Sequence, residues 1–170
     1  MTKQSCIWLD SLELPNHALR AALIRAAHAD IGTEEQEANR SPYIDGMIKD
    51  CGLTGAQPWC AAAVNRWCSE AGVARPHAGQ ASCDVWMTWA QRRGNWKGKT
   101  HSPIPGDIVV YGVPGDAQHI GVVARVTRRG PRAIEGNTSF AGFSREGIAC
   151  DWKPVDLTRV LGYIVPEPAA

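Results

Sequence analysis

The chain changes character near residue 102, and this change constrains its fold more than any other feature. Helical patterns dominate residues 16–94, whereas β-rich runs such as DIVVYG and HIGVVARV dominate residues 105–165. A turn rich in proline and glycine separates the two parts. Helices followed by strands are typical of an α+β domain, so we predict N-terminal helices packed on a C-terminal antiparallel sheet. A length of 170 residues suits one domain spanning residues 1–170.

Capping residues mark the predicted helices. Asn16 is a candidate N-cap for the first helix, and Ser41-Pro42 combines a cap with a proline at the first helical position. A third helix is expected over residues 58–71, and Ser82 is the candidate cap of a fourth. The first half of the chain is therefore expected to supply the helical layer of the fold.

Charge and hydrophobicity argue against several classes of protein. The formal net charge is +1, and 44% of the residues are hydrophobic. Neither value indicates a nucleic-acid surface, and no run approaches the ~20 apolar residues of a membrane span. The N-terminal sequence lacks the basic start and apolar core of a secretory signal. We therefore expect synthesis in the cytoplasm without a signal peptide, no nucleic-acid partner and no stable membrane association.

The six cysteines form no recognisable metal or disulfide pattern. No CxxC pair occurs, which argues against a zinc finger or ribbon. Cys60 and Cys68 would be separated by about 12 Å of helical rise, which is too far for a disulfide. The acidic residues Asp30, Glu34 and Glu35 lack the spacing of an EF-hand loop. The sequence predicts no metal site and no cofactor.

Cys60 occupies the first turn of the third predicted helix, in the stretch QPWCAAAVNRWC. Its spacing from Val64 and Trp67 places all three residues on one helix face, which is expected to pack on the sheet. Unpaired backbone N–H groups at a helix N-terminus favour a thiolate, so the position suits a nucleophile. A small buried core residue is the alternative that this position leaves open.

Three polar residues of the β-rich part are candidate partners of Cys60. His119 opens an apolar strand after a loop, where an imidazole could accept a proton from a thiol on the packed helix. Glu135 and Asn137 alternate along the next strand, and a hairpin would bring them beside His119 to orient its ring. Taken singly, His119 could equally be a surface histidine, and Glu135 and Asn137 a polar strand end.

The order and spacing of these motifs are similar to those of one known family. The segments PWCAAAVNRWCSEAG, PGDIVVYG, HIGVVARV, IEGNTS and LGYIV resemble the CHAP family, the cysteine- and histidine-dependent amidohydrolases/peptidases of the NlpC-type, papain-like group. They are most similar to a phage- and bacteria-associated, endolysin-like subset. The resemblance implies a papain-like fold with the catalytic cysteine at a helix N-terminus. It implies Cys60 as nucleophile, His119 as general base and then acid, Glu135 as the residue that orients His119, and Asn137 as its support.

The resemblance also implies a substrate and a reaction. The substrate would be peptidoglycan, cut through a thioacyl-enzyme at the muramoyl–L-alanine amide or at a peptide bond of the stem or cross-bridge. Many CHAP sequences carry glutamine directly before the cysteine, whereas Gln57 lies three residues upstream here. Gln57 is a candidate oxyanion donor, with the backbone N–H of Cys60 as the alternative. Trp59 is a candidate substrate contact.

The biological setting leaves alternatives open. An endolysin would act on the cell wall, in the periplasm, after holin-dependent release from the cytoplasm. A secreted antibacterial amidase effector, paired with an immunity protein, would use the same chemistry. A thiol protease or deamidase acting on a protein substrate is a further alternative. A catalytically silent wall-binding protein is disfavoured because the four site residues are all present.

Overall fold

The computed structural model describes residues 15–139 and 149–170, which form helices packed on an antiparallel sheet. The helices are α1 (His17–Ala29), α2 (Pro42–Asp50), α3 (Cys60–Ala71) and α4 (Cys83–Arg93). The strands are β1 (Trp96–Gly98), β2 (Ile108–Val113), β3 (Asp116–Thr127), β4 (Gly130–Thr138), β5 (Ala149–Pro154) and β6 (Val160–Ile164), in the sheet order β1-β6-β2-β3-β4-β5. The predicted α+β class is confirmed. None of the helices in the described part of the chain is long and apolar enough to cross a membrane.

Side-chain caps mark the start of two of the four helices. Ser41 and Ser82 cap α2 and α4 as predicted, because each side chain accepts a hydrogen bond from a backbone N–H of the first turn. Asn16 differs: it adopts a left-handed conformation with φ 58°, and its side-chain amide donates to the Pro166 carbonyl at 3.3 Å. Asn16 is therefore the N-cap residue of α1, as predicted, but its side chain makes no cap hydrogen bond and binds a segment that is distant in sequence.

The sheet has two different faces. The helix face packs against α1, α3 and α4 and carries buried residues such as Ile120, Val122 and Ile134. Alternate strand residues point to the opposite side, where Tyr111 and Tyr163 belong to a smaller apolar cluster. We call it the outer cluster, and its members are Val109, Tyr111, Val123, Ala133, Val155, Val160 and Tyr163. The strand alternation thus separates a large core under the helices from a second apolar layer.

A buried ion pair joins the helical part to the β-rich part. The side chains of Arg20 and Asp107 are 2% and 0% exposed, and Arg20 Nη1 lies 2.8 Å from Asp107 Oδ1. The second oxygen, Asp107 Oδ2, accepts a hydrogen bond from the Ile104 N–H and contacts His101 Nε2, each at 3.0 Å. Gly106 lies so close to α1 that a Cβ there would approach Arg20 Cβ to 2.6 Å. This cluster docks α1 at the start of β2.

Candidate active site

Cys60 is the first residue of α3, and its side chain is 5% exposed. Trp59, the N-cap residue of α3, makes no side-chain cap hydrogen bond. The Ala61 N–H forms a hydrogen bond to Cys60 that lowers the pKa of its thiol. Backbone N–H groups at this end of a helix favour negative charge. The fold therefore provides a site for a thiolate at the position that the sequence indicated.

A second thiol lies against Cys60. The sulfur of Cys83, the first residue of α4, is 3.8 Å from the sulfur of Cys60. The pKa of the Cys60 thiol lies well below its ordinary value, and the largest cause is the hydrogen bond from Cys83. A hydrogen bond to His119 and the charge of that residue lower the pKa as well, whereas burial raises it. Cys83 is not among the residues predicted for the site, since no spacing rule links the first residues of two separate helices.

His119 lies on β3 and is 2% exposed. Its Nε2 atom is 3.1 Å from Glu135 Oε2. Burial lowers the pKa of His119, but the hydrogen bonds and charges of Cys60 and Glu135 outweigh burial and raise that pKa above its ordinary value. A lowered thiol pKa beside a raised imidazole pKa favours a thiolate–imidazolium pair.

Glu135 lies on β4, and both of its carboxylate oxygens accept hydrogen bonds. Oε2 faces His119 and also accepts from Thr138 Oγ1 at 3.5 Å, whereas Oε1 accepts from Tyr111 Oη at 2.6 Å. Gly121 makes room for this side chain, because a Cβ there would approach Glu135 Cγ to 2.6 Å. The carboxylate is thereby held beside the ring that it is predicted to orient.

Asn137 is buried but interrupts the regular strand. Its φ is 52°, in the left-handed region that asparagine tolerates better than most residues. The register of β4 against β5 shifts between Glu135 and Thr138, so Asn137 lies within an irregularity. The simple alternation of Glu135 and Asn137 expected from the sequence is therefore broken by this local conformation. The supporting role of Asn137 stays a prediction.

Trp59 differs from the expectation that it contacts substrate. Its side chain is fully buried, and its indole N–H donates to Glu35 Oε1 at 2.8 Å. A Cβ at Gly136 would lie 2.7 Å from Trp59 Cζ3 and 2.9 Å from Ala63 Cβ. Trp59 is therefore a core residue, and its contact with Gly136 sets the close approach of α3 to β4.

Gln57 is exposed and lines a groove of about 190 Å³. Leu53, Pro58 and Ser82 also line this groove. Gln57 and Pro58 shortly precede α3, and Ser82 directly precedes α4, so the groove borders the ends of both helices that carry the two thiols. The role of Gln57 as an oxyanion donor stays a prediction.

The acidic residues near α1 serve as hydrogen-bond acceptors. Asp30 accepts from Tyr43 Oη at 2.6 Å and from the Trp67 indole at 2.7 Å, and Glu35 accepts from Trp59. Within residues 15–139 and 149–170, no group of three or more His, Cys, Asp or Glu side chains is placed to hold a metal ion. The contacts therefore give Asp30 and Glu35 structural roles, and the expectation of no metal or cofactor stays a prediction.

Comparison with solved structures returns distant matches. The crystal structure of Ly7917 is 17% identical with a TM-score of 0.44, and the match covers 86% of this chain and 62% of that chain. The crystal structure of Ly7917 with the hydrolyzing product of MDP is 14% identical with a TM-score of 0.42, over the same shares of the two chains. This chain thus spans less than two thirds of the length of those structures. No curated protein matches it.

A family model gives a more direct assignment. The model of the CHAP domain matches residues 52–137, slightly more than half of the chain. The matched segment contains Cys60 and Cys83 from the helical part and His119 and Glu135 from the β-rich part. Together with the α+β architecture, this match confirms the resemblance and the papain-like class predicted from the sequence. The chain belongs to the CHAP domain family.

Proposed function

We propose that this chain is a peptidoglycan hydrolase that cleaves an amide bond with Cys60 as nucleophile. Membership of the CHAP family supports a hydrolase that acts on peptidoglycan. The observation that carries the mechanism is the buried series of contacts from Cys60 through His119 to Glu135, in which the thiol pKa is lowered and the imidazole pKa is raised. A thiolate that persists near neutral pH is competent to attack an amide carbonyl.

The first half-reaction forms a thioester. The Cys60 thiolate attacks the carbonyl carbon, and negative charge develops on the carbonyl oxygen. The His119 imidazolium then donates its proton to the leaving nitrogen as the C–N bond breaks, which leaves the acyl group on Cys60. Glu135 keeps the ring oriented and stabilises its positive charge. The backbone N–H of Cys60 and the side-chain amide of Gln57 are the candidate donors to the oxyanion.

The second half-reaction consumes one water molecule. Neutral His119 removes a proton from water, and the resulting hydroxide attacks the thioester carbonyl. The C–S bond breaks, the acyl group leaves as a carboxylic acid, and the thiolate is restored. The proton remains on His119, so the enzyme returns to its thiolate–imidazolium state.

Digestion of purified sacculi tests the proposal. We expect the wild-type protein to release soluble muropeptides, and Cys60→Ala and His119→Ala to release none while keeping the circular dichroism spectrum of the wild type. Cys68→Ala is a matched control, because Cys68 is a buried thiol of the same helix that the mechanism does not use. Full activity in Cys60→Ala would exclude the mechanism. Failure of the wild type on several wall chemotypes would overturn the peptidoglycan substrate and point to a protein substrate.

Mass spectrometry of the same digests identifies the bond that is cut. A product with a free lactyl carboxylate and a free L-alanine amine indicates the muramoyl–L-alanine amide. New amino and carboxyl ends within the peptide indicate the stem or the cross-bridge instead.

For the biological role, we propose endolysin-like lysis, in which the enzyme reaches the periplasmic cell wall from the cytoplasm with the help of a holin. The competing setting is an antibacterial effector with an immunity-protein partner. Neighbouring genes distinguish the two, since holin and tail genes support the first role and an immunity gene supports the second.

A further inference from the structure

We infer that Tyr111 is a positioning residue of the reaction, whose hydroxyl holds the Glu135 carboxylate in the orientation that supports His119. This inference rests on the proposed function and extends the catalytic series by one residue. Tyr111 reaches Glu135 Oε1 from β2, while His119 reaches Oε2 from β3. Glu135 is thus held between two side chains that come from neighbouring strands.

The geometry fixes the tyrosine and the histidine relative to each other. Tyr111 and His119 are direct partners in the register of β2 against β3, and their ring centroids are 5.8 Å apart with a 32° tilt between the planes. The hydroxyl of Tyr111 donates to Glu135 at 2.6 Å, whereas the contact between His119 and Glu135 is 3.1 Å. Both contacts lie within the hydrogen-bond range of their donor types, so the Tyr111 hydroxyl gives Glu135 a second point of attachment on the side away from His119.

Burial makes this anchor necessary. Tyr111 and Glu135 are 1% and 4% exposed, so water does not replace a missing hydrogen bond to the carboxylate. A buried carboxylate is costly when its oxygens lack hydrogen-bond donors, so the Tyr111 hydroxyl contributes to holding this side chain in place. Burial and the charge of Glu135 raise the pKa of Tyr111 well above its ordinary value, so its hydroxyl remains a donor at neutral pH.

The backbone of β2 is irregular on both sides of Tyr111. Its register shifts between Tyr111 and Gly112 against β3, and between Val110 and Tyr111 against β6. A Cβ at Gly112 would lie 2.1 Å from the Asp116 carbonyl oxygen, so only glycine fits there. Irregularities of this kind bend a strand and redirect its side chains, and they are frequent beside active sites. The strand is therefore shaped locally at the residue that reaches Glu135.

The test compares Tyr111→Phe with Tyr163→Phe. Tyr163 is a matched control because it belongs to the same outer cluster and is equally buried, while its hydroxyl has no hydrogen-bond partner among the described residues. On a soluble muropeptide, Tyr111→Phe should lower kcat by about tenfold or more, since a hydrogen bond to a charged group is lost, and should leave KM unchanged. The acid limb of its kcat/KM profile should move to higher pH. Without the Tyr111 hydroxyl, Glu135 is held less firmly beside His119 and stabilises the imidazolium less. Tyr163→Phe should match the wild type in both measurements.

A second measurement needs no substrate. The rate at which iodoacetamide alkylates Cys60 follows its thiolate, and in Tyr111→Phe this rate should rise only at higher pH than in the wild type or Tyr163→Phe. If the wild type digests no peptidoglycan while this difference is present, the proposed function fails and the positioning role stands. A wild-type kcat together with a wild-type alkylation profile in Tyr111→Phe overturns the inference. Equal losses in both tyrosine variants overturn it too, because they would reflect packing of the outer cluster.

Discussion

The sulfur atoms of Cys60 and Cys83 lie 3.8 Å apart, although 23 residues separate them along the chain. Each is the first residue of its helix, so the N-termini of α3 and α4 converge on one pair of thiols. Both helix ends favour negative charge at this point. When Cys60 is ionised, the Cys83 thiol is its hydrogen-bond donor, and the reactivity of Cys60 then depends on a residue that no sequence motif singled out.

Removal of the second thiol should make Cys60 less reactive. In Cys83→Ala we expect the pKa of Cys60 to rise and its alkylation at about pH 6 to slow about tenfold, since a hydrogen bond to a charged group is lost. Cys83→Ser keeps a donor and should retain most of the reactivity, and Cys68→Ala should behave as the wild type. The measurement is the rate of iodoacetamide labelling at Cys60, and equal rates in Cys83→Ala and wild type would contradict the prediction.

Mild oxidation should join the two thiols. Their sulfurs are within about 2 Å of the disulfide bond length. With oxidised glutathione, the Cys60 thiolate should form a mixed disulfide and release one glutathione; Cys83 should then displace the second and close the Cys60–Cys83 bond. We expect activity to be lost and then restored by dithiothreitol. Non-reducing peptide maps should contain the linked pair in the wild type and glutathionylated Cys60 in Cys83→Ser, and a wild-type map without the link would refute this prediction.

Cys60 should alkylate at a lower pH than Cys51, Cys68 and Cys150. Burial raises the pKa of Cys51 to about 11 and raises those of Cys68 and Cys150 even further. The lowered pKa of Cys60 keeps its thiolate as the pH falls below the ordinary thiol value, whereas the other three remain neutral thiols over that range. Peptide mass spectrometry after labelling at graded pH measures the order. Cys6 lies outside the described residues and is also expected to react only at a higher pH than Cys60. Equal labelling rates at all sites would rule out an activated thiol at Cys60.

The parts of the site that local patterns encode were predictable. The helix N-terminus made Cys60 a candidate, strand alternation and hairpin order did the same for His119 and Glu135, and the resemblance to the CHAP family supplied their roles. The structure brings these three side chains together. Tyr111 and Cys83 were not predictable in the same way. Their contacts arise from the register of β2 against β3 and from the packing of α4, which residue spacing does not report.

The errors have a similar cause. Trp59 precedes the nucleophile directly, so an exposed position near substrate was a reasonable expectation. Its burial results from Gly136 of β4 and Glu35, which approach it only in the folded chain. Asn16 is the N-cap residue of α1 but makes no side-chain cap hydrogen bond, because its backbone is left-handed and not in the extended conformation typical of a capping side chain. Strand β1 escaped prediction because its three residues are too few to show a periodicity.

The buried ion pair should contribute strongly to stability. Arg20→Ala leaves Asp107 as a buried charge without its arginine, so we expect the free energy of unfolding to fall by about 3–5 kcal/mol. The pair of Arg40 with Asp45 is its exposed counterpart, at 47% and 37% exposure, and Arg40→Ala should change stability little. Urea unfolding followed by tryptophan fluorescence measures both variants. Similar midpoints for the two would show that burial of the pair does not matter.

The close approach of α3 to β4 should not accept an added methyl group. Gly136→Ala places its Cβ against Trp59 and Ala63, and we expect a loss of about 1–3 kcal/mol in stability together with lower activity, because the helix carrying Cys60 must move. Gly98→Ala is the control, since a Cβ there would have no neighbour within 4 Å. Thermal unfolding and sacculus digestion measure the two effects, and an unchanged Gly136→Ala protein would disprove the steric argument.

The nucleophile and its base belong to different parts of the chain. Cys60 and Cys83 lie in the helical part, His119 and Glu135 lie in the β-rich part, and an exposed turn at residues 99–100 lies on the path between them. Cleavage of that turn would leave every reacting atom in place and remove only the covalent link. Hydrolysis would then depend on the noncovalent packing of two fragments, because neither part of the chain holds the complete site.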